Sequence, residues 1–154
     1  KVKEISLVKD PPKRYQAEGP ETLFDLNRGS EPGDGKWLAY QKDDFVARIT
    51  LEKAQTVSRV KVGTVQSAGI WAFYPREIEI QTSIDGITFK QIKRTNYPQP
   101  KKDEPGGLRI VEVNFTPVQT SFIKVILKNL GKNPSWHKEK GKPSWVFCDE
   151  ISVE

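Results

Sequence analysis

The chain is written in short alternations of apolar and polar residues, and that period of two limits the fold more than any other feature. Glu77–Thr82 (EIEIQT) alternates cleanly and places Ile78 and Ile80 on one face. Leu108–Phe115 (LRIVEVNF) points Val111, Val113 and Phe115 one way, and Ser121–Lys128 (SFIKVILK) does the same with Ile123, Val125 and Leu127. Trp145–Val153 presents Phe147, Ile151 and Val153, while Phe45–Leu51 and Val57–Val62 alternate imperfectly. Ile5–Val8 is a weaker opening strand. An Asp-Gly turn at Ser83–Gly86 between Glu77–Thr82 and Ile87–Ile92 predicts a hairpin. No helical period of useful length interrupts these runs, and eleven glycines and eleven prolines punctuate them. The expectation is an all-β jelly-roll sandwich of roughly eight antiparallel strands.

A length of 154 residues suits one domain, residues 1–154, with a single core. Charged residues make up 29% of the chain, as fits a sandwich with one face of each sheet in water. No apolar run reaches the roughly 20 residues of a membrane-spanning helix. The chain opens at Lys1 and contains no methionine, which reads as a piece of a longer polypeptide. The single Cys148 excludes an internal disulfide and a multi-cysteine zinc site, and its apolar setting makes it a small core residue. The net charge of +5 comes mostly from scattered lysines, which reads as a solvated surface rather than a nucleic-acid or anionic-lipid binder.

The longest stretches without strand pattern are Pro11–Lys36, Gln66–Pro75, Asn96–Gly107 and Gly131–Pro143, lengths at which loops tend to be functional. They carry Tyr40, Trp71, Phe73, Tyr74, Trp136 and Trp145 on or beside them. An indole face is negative and the axial C–H face of a sugar is slightly positive, so such rings stack. Trp71 and Phe73 on one loop, with Trp136 and His137 on another, form the candidate carbohydrate site. Gln66, Asn133, His137 and Lys138 are polar neighbours able to fix hydroxyls. Trp37 and Trp145 flank strands and read as core.

Catalysis finds no constellation. His137 is the only histidine, and Ser135 beside it has no nucleophile-elbow sequence. The carboxylate pairs Asp43–Asp44 and Asp149–Glu150 are adjacent, and in a strand adjacent side chains point to opposite faces. Acid-bearing segments at both ends of the chain, Thr22–Ser30 and Asp149–Glu150, instead suggest a cation staple.

Several segments in order resemble the factor V/VIII C-type, discoidin-like family, which includes the family 32 carbohydrate-binding modules. They are TLFDLNRGS, KWLAYQKDDFVARITL, REIEIQTSIDGITFKQI and VFCDEISVE, spanning about Thr22 to Val153. A narrower similarity, carried by GPETLFDLNRGS, GIWAFYP and NPSWH with SWVFCDEI, is to the C-terminal domain of family 20 glycoside hydrolases of the β-N-acetylhexosaminidase type. The resemblance implies a non-catalytic accessory module that binds a glycan or terminal sugar, on a secreted or periplasmic enzyme. Its partners would be that glycan and the catalytic domain of its own parent chain. The alternative it leaves is a docking domain with no sugar site. It also implies a structural Ca²⁺ held by Asp25, backbone oxygens of Thr22 and Asn27, Ser30 and Glu150. Where the family has Gly after the turn acid, this chain has Leu26, which implies a different local backbone.

Overall fold

The computed structural model describes residues 1–154. Strand takes 51% of them and helix 7%, so the chain is all-β. Eight strands follow in order: β1 (Val2–Leu7), β2 (Leu38–Gln41), β3 (Phe45–Gln66), β4 (Glu77–Ser83), β5 (Lys90–Asn96), β6 (Gly107–Lys128), β7 (Trp145–Cys148) and β8 (Ile151–Val153). Three short 3-10 turns, Lys13–Tyr15, Pro20–Phe24 and Ala68–Ile70, sit in the loops. All pairings between strands are antiparallel. The larger sheet runs β1-β3-β6-β4-β5 with β8 also on β3, and β2 pairs with β7.

Two strands of 22 residues hold the sandwich together. Straight, each would run about 73 Å, far beyond a domain whose radius of gyration is about 15 Å. Both therefore bend, and the ladder shows where. Thr50 faces Phe122 and Gln55 faces Thr120, so β3 carries extra residues at one corner. Val57 faces Val118 and Arg59 faces Asn114, so β6 carries the surplus at the next. Pro117, which has no N–H to give a ladder, lies in that second irregularity. The imperfect alternation of the sequence is the same feature. Phe45, Ala47, Ile49 and Leu51 point inward on odd positions, and after the bulge Val60 and Val62 do so on even ones.

These faces close on one core of Ile78, Ile80, Val113, Ile123, Val125, Leu127 and their neighbours from every layer. A second, smaller cluster lies at the loop edge: Trp37, Ala39, Val65, Ala72 and Phe147, with Tyr15 and Trp145 packed on it. Cys148 is fully buried, as expected of a small core residue. The hairpin after β4 differs from the expected one. The Asp85 carboxylate accepts from Ser83 Oγ (3.0 Å), Ile87 N–H (2.8 Å) and Thr88 N–H (2.9 Å), which ties residues 84–89 into a loop. The return strand therefore starts at Lys90 and not at Ile87, whose side chain is exposed. The closing strand is likewise broken: β7 ends on β2, and Asp149–Glu150 carries the chain across to β3 as β8.

Candidate functional site

Two aromatic groups occupy the loop edge. The first contains three of the four expected sugar residues. Phe73 is only 1% exposed, and the rings of Trp136 and His137 stand edge-on to it at 6.3 and 6.1 Å. Trp136 Nε1 donates to the Pro100 carbonyl at 3.0 Å. Glu139 N–H donates to His137 Nδ1 at 2.9 Å, so Nδ1 is the acceptor and Nε2 carries the proton it gives to Ala68 O at 2.7 Å. Both imidazole nitrogens are thus used inside the fold. Phe73 cannot stack on a ligand from the core, and His137 has no free polar atom for a hydroxyl. Three other readings need the same correction. Gln66 and Asn133 are buried; Gln66 accepts from Tyr74 N–H, and the Asn133 amide donates to Glu139 O. Tyr40 is buried too: its hydroxyl donates to Lys9 O, and burial with nearby Asp10 and Asp43 pushes its pKa to about 12.

The second group is open. Arg14, Tyr15, Gln41, Ile70, Trp71 and Trp145 line a groove of about 310 Å³. Tyr15 packs edge-on to Trp145 (5.1 Å) and Phe147 (4.7 Å), so its ring is fixed from below by the smaller core cluster. The Arg14 guanidinium lies 5.3 Å from the Tyr15 ring centre. Trp71 caps the Ala68–Ile70 turn with φ +66°, a left-handed conformation that costs a bulky residue roughly 1–3 kcal/mol. Its backbone is clamped on both sides: Trp71 N–H donates to Ala68 O at 3.0 Å, and Trp145 N–H donates to Trp71 O at 2.7 Å. Neither Trp136 nor His137 lines this groove, yet His137 grips the same turn through Ala68 O. Trp145, expected in the core, is half-buried and forms a wall. Arg14, Tyr15 and Gln41 gave no sequence signal. They reach the groove because the 3-10 turn at Lys13–Tyr15 and the end of β2 converge there.

The acid-bearing ends do meet. Leu26 N–H donates to Glu150 Oε1 at 3.1 Å, and Gly29 N–H donates to Asp149 Oδ2 at 2.8 Å. The break between β7 and β8 lets both neighbouring carboxylates serve one turn, against the expectation from strand alternation. Gly63 makes room: a Cβ there would lie 1.8 Å from Asp149 Oδ1. Leu26 adopts φ +63°, so it takes the left-handed backbone a glycine would take, and the expected departure in local backbone does not occur. Burial, then the adjacent Asp25 carboxyl, push the Glu150 pKa up to about 7, with Arg28 opposing. The two carboxyls face each other without an ion-pair partner, oxygen donors of the kind a hard cation takes, but no third acidic, His or Cys side chain joins them in a cluster. The other expected donors make local hydrogen bonds that leave their backbone carbonyls out. Ser30 Oγ donates to Asp34 at 3.1 Å, Thr22 Oγ1 accepts from Glu18 N–H at 3.0 Å, and Asn27 N–H donates to Asp25 Oδ1 at 2.8 Å. Thr22, Asn27 and Ser30 would therefore contribute chiefly through backbone carbonyls.

No helix of the chain is long and apolar enough to cross a membrane. No curated protein sequence matches the chain. Solved structures do. The module CpGH89CBM32-5 of Clostridium perfringens, in complex with GalNAc-β-1,3-galactose, is 12% identical with a TM-score of 0.61 over 97% of this chain and 93% of its own. A chitosan-binding module from a chitosanase/glucanase of Paenibacillus sp. IK-5 is 18% identical with a TM-score of 0.61, covering 99% and 95%. The CBM32 of AlyQ, in complex with 4,5-unsaturated mannuronic acid, is 12% identical with a TM-score of 0.58, covering 100% and 95%. The fold is thus that of solved carbohydrate-binding modules. The F5/8 type C domain model matches residues 8–149, and the chain belongs to that family.

Proposed function

We propose that the chain is a non-catalytic carbohydrate-binding module, and that the Tyr15–Trp71–Trp145 groove is its sugar site. The observation that carries this reading is Trp71. Its large aromatic ring is set at the mouth of the groove by a left-handed turn whose backbone is clamped on both sides of Trp71. Trp71 and Trp145 offer the stacking faces, and Arg14 and Gln41 the hydroxyl partners. Of the residues expected from sequence, Trp71 touches the sugar, while His137 braces its turn and Trp136 packs against His137 and Phe73.

The module raises the local concentration of an attached enzyme on a glycan surface. The segments similar to family 20 glycoside hydrolases support a β-N-acetylhexosaminidase as the parent, working outside the cytoplasm. Ca²⁺ bound by Asp25 and Glu150 would neutralise their repulsion and tie the N-terminal turn to the closing strand.

One small sugar buries limited apolar area, so affinity is on the order of millimolar, about −4 kcal/mol. Galactose, N-acetylgalactosamine and N-acetylglucosamine are titrated in turn while indole and amide shifts are recorded. The Trp71 and Trp145 indole signals should move first. If none of the three sugars moves them, the groove is not a sugar site and the docking-domain reading takes its place.

A further inference from the structure

Beside the aromatic groove lies a second cavity of about 400 Å³, and its chemistry is opposite. Lys42, Asp44, Arg76, Asn129, Leu130 and Lys132 are among its walls, and Leu130 is its only hydrophobic residue. Such a volume is within the range of ligand sites, about 300–1,000 Å³, but these walls have no ring to stack on. Recognition here must be by charge and hydrogen bonding.

The charges do not cancel. Asp44 is already engaged: it accepts from Asn129 N–H at 2.9 Å and pairs with Lys128 at 3.8 Å. No carboxylate lies within ion-pair distance of Lys42, Arg76 or Lys132. Three unpaired cations around one concavity repel each other and focus a positive potential into it. The cradle is also fixed in shape. Asn129 is 3% exposed and uses its whole side chain: Nδ2 donates to Tyr40 O (3.1 Å) and Asp43 O (2.9 Å), and Oδ1 accepts from Gly131 N–H (2.9 Å) and Ser144 Oγ (3.1 Å). Arg76 is aimed by its Nε–H to Asn129 O at 3.2 Å. Lys42 stands at φ +67°, its N–H tied to Ser144 O at 2.7 Å. The hydrogen bond from Gln41 Nε2 to Pro143 O, 3.0 Å long, marks the border between the two cavities: Gln41 lines the aromatic one and Pro143 the cationic one.

We propose that the Lys42–Arg76–Lys132 cavity is an anion subsite, and that the ligand of this chain is an acidic glycan. A sugar ring stacks in the Trp71–Trp145 groove, and the carboxylate or sulfate of an adjoining residue sits among the three cations. The proposal rests on the aromatic groove being the sugar site, and the test separates the two.

The intact 154-residue chain is titrated by calorimetry with trigalacturonate, a neutral galactose trisaccharide, a sulfated galactose trisaccharide and a short single-stranded RNA. The same is done with Lys42→Glu/Lys132→Glu and with Trp71→Ala. In low salt an acidic trisaccharide should bind about tenfold or more tighter than the neutral one, the worth of one added charge-assisted contact. That advantage should shrink in high salt and vanish in the double charge reversal, which leaves neutral binding unchanged. The preferred arm of uronate and sulfate names the group. Trp71→Ala should weaken neutral and acidic sugars alike. Equal affinity for acidic and neutral sugars overturns the anion subsite and leaves the groove standing. Acidic binding untouched by Trp71→Ala overturns the groove and leaves the anion subsite. RNA binding tighter than every sugar, lost on charge reversal, overturns the glycan assignment.

Discussion

The Phe73–Trp136–His137 cluster and the Tyr15–Trp71–Trp145 groove use the same kinds of residue, at one edge of the sandwich, for opposite purposes. In the first, every polar atom of the rings has an internal partner and the central ring is in the core. In the second, ring surfaces line an open cavity and polar side chains stand beside them. An aromatic on a loop is therefore not evidence of a ligand. What distinguishes the two is whether the ring's hydrogen-bonding capacity is already spent. The brace and the platform also depend on each other, because His137 and Trp71 both bond to Ala68 O.

The sharpest break between them is Phe73→Ala. A core Phe removed without replacement costs about 3–5 kcal/mol, so the melting temperature should fall steeply. A small loss, with sugar binding abolished, would mean that Phe73 faces ligand after all. Next is His137→Ala, which removes two bonds and leaves Ala68 O without its imidazole partner. It should cost about 1–3 kcal/mol of stability, and sugar affinity should drop only as the turn loosens. Trp71→Ala should do the reverse. Sugar affinity falls about tenfold, near 1.4 kcal/mol, while stability changes little, because the ring is half-buried and Ala keeps the same left-handed backbone. Equal stability losses for His137→Ala and Trp71→Ala, with no affinity difference, would erase the comparison.

The joined chain ends, a third region away from both aromatic groups, serve as a control. Glu150 has its pKa raised from 4.5 to about 7 in the folded state, chiefly by burial and then by Asp25. A raised carboxyl binds more protons folded than unfolded. Its contribution to stability is full below about pH 4.5 and is lost as pH rises through about 7. Burial raises Asp149 in the same direction. Melting curves in chelator should therefore show a decline from pH 5 to 8 that Glu150→Gln flattens. Saturating Ca²⁺ should cancel it and raise the melting temperature, by about 2.7 kcal/mol of stability at one hundred times Kd. Sugar titrations at Trp71 should be indifferent to both changes. No calcium effect in the intact chain, with Glu150 still titrating, would remove the ion from the Asp25–Glu150 pair.

The sequence by itself determined the sandwich, because alternation is a local property and each strand carries its own. Ile78 with Ile80, and Ile123 with Val125 and Leu127, were placed on their faces before any pairing was known, and all five are core residues. Even the faulty alternation between Val57 and Val60 was a faithful signal, of a bulge. Cys148 was read from its neighbours for the same reason. The sites needed the tertiary structure. Arg14, Tyr15, Gln41, Trp71 and Trp145 are scattered along the chain, and only the convergence of four segments makes them one surface. The same holds for Lys42, Arg76 and Lys132, which read as dispersed surface charge until a cavity gathered them. Nothing local could reveal that His137 spends both nitrogens on Ala68 and Glu139, or that the chain breaks at Asp149 so that two adjacent acids serve one turn. Periodicity fixes which way a side chain points relative to its own strand. What lies at its tip is set by residues far away in sequence, and binding chemistry happens at the tip.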